Sequence, residues 1–147
     1  MNRIILLFAA VMILSGCAGI SGGIPGHGVD LHKDSKIAVI YLGARDCHFC
    51  SQWEENEQQR FLTSEEIKHL EFQKIVRNTF HRNLQPSDFK DDLKWLYESV
   101  KMDNGTPTFV VLVDKSVVLK IAGVDKWDKE VMPLLTELIK KKQAQYN

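Results

Sequence analysis

Cys47-His48-Phe49-Cys50 follows directly on an apolar run, Ile37-Ala38-Val39-Ile40-Tyr41-Leu42. Further along, Gly105-Thr106-Pro107-Thr108 leads into a second apolar run, Phe109-Val110-Val111-Leu112-Val113. A strand that delivers two cysteines, spaced Cys-x-x-Cys, to the start of a helix is a redox arrangement. The helix N-terminus carries unsatisfied N–H groups and the positive end of the dipole. That field favours a thiolate, the reactive form of cysteine. The second cysteine, one helical turn later, lies close enough to close a disulfide.

The elements that must hold these residues can be read from the pattern. The nearly continuous apolar run Ile37–Leu42 predicts a buried strand, and Gly43-Ala44-Arg45-Asp46 makes the connection. Cys47 to about Arg60 reads as a helix. Thr63 with Glu66 has the form of a capping box opening a short helix to Leu70. Phe72–Phe80 reads as a strand whose Lys74 and Arg77 suit a sheet edge. After Pro86, the helical spacing of Phe89, Leu93, Leu96 and Val100 predicts a helix ended by Asp103-Asn104-Gly105. Phe109–Val113 and Val117–Ala122 read as a hairpin across Asp114-Lys115-Ser116. Val131, Leu134, Leu135, Leu138 and Ile139 mark one face of a last helix with Pro133 in its first turn. Lys140-Lys141-Lys142 reads as positive charge at that helix's C-terminal end.

The third cysteine has a separate context. Arg3 precedes eleven apolar residues, Ile4 to Leu14, too few for a span, which needs about 20, but suited to a secretory signal. Leu14-Ser15-Gly16-Cys17 resembles the bacterial lipoprotein signal, in which the cysteine is lipidated and becomes the first mature residue. This organises the chain as a signal over residues 1–16, a tether over 17–35 and a domain over 36–147. Five glycines and Pro25 make the tether flexible, and its length reaches roughly 20–25 Å by random-coil scaling. His27 and His32 lack ligand-spaced partners and read as solvated. With Cys17 set aside, the two remaining cysteines are those of the Cys-x-x-Cys.

The 147 residues carry 19 basic and 19 acidic side chains. This balance leaves no electrostatic footprint for nucleic acid, and the length suits one domain with an ordinary core.

The order β–α–β–α–β–β–α, with Cys-x-x-Cys after the first strand and a Thr-Pro opening the third, resembles the thioredoxin superfamily over residues 37 to about 142. The resemblance implies an α/β thioredoxin-like fold, a central mixed four-stranded sheet flanked by helices. It implies that Thr106-Pro107 is cis and lies against the cysteines, where its backbone meets an incoming peptide or thiol. The stretch Ala44–Glu54, followed by Phe61–Ile67, is similar to exported thioredoxin-like proteins and to the soluble C-terminal domain of the transmembrane reductase that feeds electrons to the bacterial periplasm. Four positions depart from typical thioredoxins: Asp46 replaces a Trp, Tyr41 replaces a buried Asp, and His48-Phe49 replaces Gly-Pro. The departures and the export signal point away from a general cytosolic role.

On this resemblance Cys47, partly exposed, is the nucleophile and Cys50 resolves the mixed disulfide. His48 is placed to tune Cys47, and Asp46 to oppose it. Phe49 reads as an apolar wall, and Trp53, Trp95 and Trp127 as core. A zinc site would need four ligands, and no second pair is present. Copper(I) handling, which needs only two thiolates, is one alternative. A non-catalytic lipoprotein module with a stabilising disulfide is another. The expectation is a monomeric, membrane-tethered thiol–disulfide oxidoreductase without a cofactor, more a reductase than a general oxidase. It would act on protein substrates with a redox partner, anchored in the bacterial envelope. Ala18 after the lipidated cysteine implies the periplasmic face of the outer membrane in a Gram-negative host.

Overall fold

The structure, a computed structural model, describes residues 30–101 and 105–145. The signal, Cys17, His27 and the helix stop at Asp103-Asn104 lie outside the described residues.

Four strands form one sheet in the order β2-β1-β3-β4. They are β1 (Ile37–Ala44), β2 (Glu71–Arg77), β3 (Thr108–Val113) and β4 (Ser116–Ala122). β1 pairs in parallel with β2 and antiparallel with β3, and β3 pairs antiparallel with β4. The sheet is therefore mixed, with the charged strand β2 at an edge.

Both faces of the sheet are covered, which is why β1 and β3 are apolar at nearly every position. Alternate residues divide between two cores. Val39, Tyr41, Phe109 and Val111 pack with Trp53, Phe61, Trp127, Leu134, Leu135 and Leu138. Ile40, Leu42, Val110 and Leu112 pack with Leu84, Phe89, Leu93, Leu96 and Val100. The first core is aromatic. Trp53 stacks on Tyr41 at 4.8 Å between centroids and meets Trp127 edge-on at 4.9 Å and Phe109 at 5.2 Å. Trp95 is only half-buried, at the margin of the second core.

Helix α1 (His48–Trp53) passes through a π-helical turn, Glu54–Gln58, into α2 (Gln59–Leu62). The expected capping box is not formed. Thr63 instead donates back to the carbonyls of Gln59 (3.0 Å) and Arg60 (3.2 Å), closing the end of α2. Only a 3-10 segment, Glu66–His69, follows.

The helix expected after Pro86 is also broken. It consists of 3-10 segments Pro86–Asp88 and Asp91–Leu96, then the short helix α3 (Tyr97–Val100). Phe89 and Lys90 are extended between the segments. Asp88 is engaged behind them, receiving Arg82 at 2.8 and 3.0 Å and the Gln85 N–H at 2.7 Å. Phe89, Leu93, Leu96 and Val100 are nevertheless buried. The spacing identified the buried face, and the side-chain bonds decided the backbone form.

The hairpin turns at Asp114-Lys115, with Asp114 at φ 54°. The last helix, α4 (Met132–Ala144), has Pro133 in its first turn and is preceded by a π turn over Trp127–Val131. Lys142 does not cap its own helix but donates to the Ser35 carbonyl at 2.5 Å. Leu31 and Ser35 are buried, and the Ser35 hydroxyl donates to Asp114 at 3.0 Å. The stretch 31–35, read from composition as the end of a tether, is thus packed onto the domain.

Candidate functional site

Cys47 and Cys50 form a disulfide with Cα atoms 5.2 Å apart. β1 ends at Ala44, and Cys47 donates its N–H to the Ala44 carbonyl at 3.3 Å. Cys47 is the N-cap of α1, with extended backbone, and its Sγ accepts the Cys50 N–H at 3.1 Å. One of the unsatisfied donors at the helix start therefore points at the sulfur. Such a donor stabilises negative charge on that sulfur once the disulfide opens. Cys47 is 5% exposed and Cys50 1%. The expectation of a partly exposed Cys47 is thus corrected. In the disulfide its sulfur turns toward its own helix and the aromatic core.

Thr106 and Pro107 arrive at the same end of the sheet. Thr108 pairs with Leu42 in β1, so the residues before it lie beside the end of β1 that delivers the cysteines. The Thr106–Pro107 bond is cis. Pro107 is buried, and its carbonyl accepts the Gly123 N–H at 2.9 Å. Thr108 donates its hydroxyl to the Gly105 carbonyl at 2.8 Å. A side chain at Gly105 would meet the Ala122 methyl at 2.6 Å, so the loop can pack this closely only with glycine there.

Tyr41 is fully buried beneath α1 in the core that includes both cysteines. Its hydroxyl finds no hydrogen-bond partner among the described residues. Burial first, and the Glu54 carboxylate second, push its ionisation well above the ordinary phenol range. Tyr41 therefore stays neutral at physiological pH and supplies no carboxylate beneath the disulfide. Lys74 lies over its ring at 5.2 Å and pairs with Glu54 at 2.9 Å. Gly43 leaves room for that ring, since an added Cβ would lie 2.5 Å from it.

His48 is exposed, with its ring 5.7 Å from that of Phe49. Phe49 is 56% exposed, an apolar side chain facing solvent. Trp53 and Trp127 are core residues, as their spacing predicts. His32 is exposed and lies 3.6 Å from Asp30. Among the described residues, no group of three or more His, Cys, Asp and Glu is placed to hold a metal ion. None of their helices is long and apolar enough to cross a membrane.

The contact missed by sequence reasoning is made by Asp46. Its carboxylate receives the Thr79 hydroxyl at 2.6 Å and the Phe80 N–H at 2.8 Å. β2 stops at Arg77, so Phe80 lies in a loop and not in the strand expected to reach it. Arg77 is itself buried. Its carbonyl accepts the Arg45 N–H at 3.0 Å, and its guanidinium donates to the Phe80 carbonyl at 3.3 Å. No local signal announces this contact, because Asp46 and Thr79 are 33 residues apart.

The Thr79 hydrogen bond, first, and the Phe80 N–H hold the Asp46 carboxyl below the ordinary aspartate value of 3.8. A depressed folded-state pKa contributes stability above the unfolded value and loses it as pH falls through the folded one. The tie therefore weakens as pH falls through that lowered value, in stronger acid than an ordinary aspartate requires. A carboxyl-detected NMR titration should give Asp46 a midpoint below 3.8, and Thr79→Val should raise it. An unmoved midpoint in Thr79→Val would show that the hydroxyl is not the cause.

The mixed sheet, covered on both faces, with a cysteine pair at the head of α1 and a cis-proline opening β3, is a thioredoxin-like fold. Comparison with solved structures agrees. The thioredoxin of Malassezia sympodialis (Mala s 13) superposes with a TM-score of 0.51 at 16% identity, over 71% of this chain and 76% of that one. Thioredoxin f from spinach chloroplast matches at TM-score 0.48 and 18% identity, over 72% and 79%. The periplasmic thioredoxin SoxS from Paracoccus pantotrophus, in reduced form, matches at 0.46 and 16%, over 71% and 97%. No family model and no curated protein matches the sequence.

Proposed function

We propose that this chain is a thiol–disulfide oxidoreductase acting on protein disulfides outside the cytoplasm, tethered to a membrane through lipidated Cys17, with electrons supplied by a redox partner. The observation that carries the reading is the Cys47–Cys50 disulfide, with Cys47 as the cap of α1 and its sulfur facing the Cys50 N–H. This is a sulfur held where a thiolate is favoured, with a second thiol in reach.

The reductase direction draws support from a neighbour of that sulfur. Strong oxidants owe their high potential to a stabilised reduced form. Here Asp46, ionised and adjacent to Cys47, opposes a thiolate. This charge counters the helix N-terminus and supports the reductase reading. The pair's potential, equilibrated against glutathione, should lie nearer the thioredoxin value of about −270 mV than the value of about −120 mV of a dedicated oxidase. A potential near the second value would reverse the direction, and failure to reduce any protein disulfide would remove the function.

Export and tethering are supported by the run Ile4–Leu14 and by Leu14-Ser15-Gly16-Cys17. Cys17→Ser should move the protein from the membrane fraction to the soluble one or leave the signal uncleaved. An unchanged mature form that still requires detergent would refute lipidation.

A further inference from the structure

Among the described residues, the two most exposed large apolar side chains are Phe49, at 56%, and Phe80, at 45%. Both belong to segments joined to the residues around the disulfide. Phe49 lies between the two cysteines in the chain. Phe80 is 34 residues from Asp46 in sequence, yet its N–H is bonded to that residue, which immediately precedes Cys47.

The loop that carries Phe80 is fastened at several points. Asp46 holds the Thr79 hydroxyl and the Phe80 N–H. The buried Arg77 guanidinium donates to the Phe80 carbonyl. The Arg82 N–H closes a turn onto the Thr79 carbonyl at 3.3 Å, and the Arg82 side chain is locked on both oxygens of Asp88. The His81 ring lies 3.9 Å from that of Phe80. So many polar ties on one short loop hold an apolar ring partly in water. Leaving such a ring exposed forgoes burial energy. Holding it rigid lowers the ordering cost of any contact it makes. The Asp46 carboxylate is already occupied by the loop, and the exposed Phe49 and Phe80 side chains leave apolar surface on the two segments joined at Asp46.

We infer that Phe80, held by Asp46, is a specificity-determining residue that selects polypeptide disulfides in which the reacting cysteine has a large aliphatic or aromatic neighbour. The inference rests on the thiol-exchange reading above. The exchange itself is balanced: the Cys47–Cys50 dithiol gives two electrons to the substrate disulfide, becomes the Cys47–Cys50 disulfide and releases two substrate thiols. Phe80 takes no part in those bonds. It adds affinity only where the substrate offers an apolar side chain.

Two probes separate these effects. One is a disulfide-linked dimer of a short peptide with leucine on each side of its cysteine. The other is oxidised glutathione, which has no such side chain. The quantity read is the ratio of the two kcat/KM values, peptide over glutathione. Partial burial of one ring makes the expected fall in this ratio about fivefold for Phe80→Ser, with the glutathione value unchanged. Phe80→Leu should keep most of the ratio. Asp46→Ala should lower it as Phe80→Ser does. The peptide is built with the same net charge as oxidised glutathione, so the lost Asp46 charge acts on both probes alike and cancels in the ratio. An unchanged ratio in Phe80→Ser, or an equal fall for both probes, would overturn the inference. If the wild-type chain reduces neither probe nor any protein disulfide, the exchange reading fails and the inference falls with it.

Discussion

Cys50→Ser is expected to trap the chain in mixed disulfides with its partner proteins, and Cys47→Ser to trap none and reduce exchange to background. The asymmetry comes from the cap. Cys47 sits at the N-terminus of α1 and its sulfur receives the Cys50 N–H, so charge on Cys47 is met by a donor. Cys50 lies a turn further into the helix and is almost fully buried. The Cys47 thiolate attacks one substrate sulfur, forms the mixed disulfide and expels the other as a thiolate. Cys50 then attacks the Cys47 sulfur, closes the internal disulfide and releases the second substrate thiol. With serine at position 50 the second displacement has no nucleophile, and the adduct persists until a reductant is added. Electrophoresis with and without reductant reads the adducts, and turnover of an insulin-type disulfide reads the activity. Retained turnover in both variants, or adducts formed by Cys47→Ser, would overturn this mechanism. Near-stoichiometric copper held by both thiolates in the purified protein would replace it with metal handling.

The largest effect on stability is expected at Trp53. Its ring is fully buried and touches Tyr41, Phe72, Phe109 and Trp127, at centroid distances of 4.8 to 6.2 Å. Trp53→Ala should cost about 3–5 kcal/mol, since rigid aromatic neighbours from β1, β3 and the turn before α4 cannot collapse into the space. Trp53→Phe should cost less, roughly 1–2 kcal/mol. The indole N–H has no hydrogen-bond partner among the described residues, so its loss forfeits packing but no bond. Urea unfolding with an unchanged m-value measures both. Trp53 is also the last residue of α1, one turn beyond Cys50. Trp53→Ala should therefore loosen the helix that carries the cysteines and slow exchange in the folded protein. A cost below about 1 kcal/mol for Trp53→Ala would show that the aromatic cluster does not hold α1 to the sheet.

The amino-acid sequence by itself determined the strands, the redox pair and the buried faces. β1 and β3 were legible because strands covered on both sides must be apolar at almost every position. The edge placement of β2 was legible from its charges, and Lys74 indeed reaches across to Glu54. Cys47 and Cys50 are local, three residues apart, so their disulfide needs no knowledge of the rest of the fold. The folded structure decided which of several local partners a side chain takes, and also every contact between residues distant in sequence. Thr63 turned back to close α2 instead of opening a new helix. The segment after Pro86 kept its buried face but became 3-10, with Asp88 committed to Arg82 and Gln85. Lys142 reached the Ser35 carbonyl, 107 residues away, and helped pin a stretch that composition assigns to a tether. Asp46 reads in sequence only as a charge beside Cys47. Folding makes it the anchor for Thr79 and Phe80, because the parallel pairing of β1 with β2 brings the ends of both strands to one edge. Periodicity reports which side of an element is buried. It carries no information about a carboxylate whose donors arrive from the loop after the neighbouring strand.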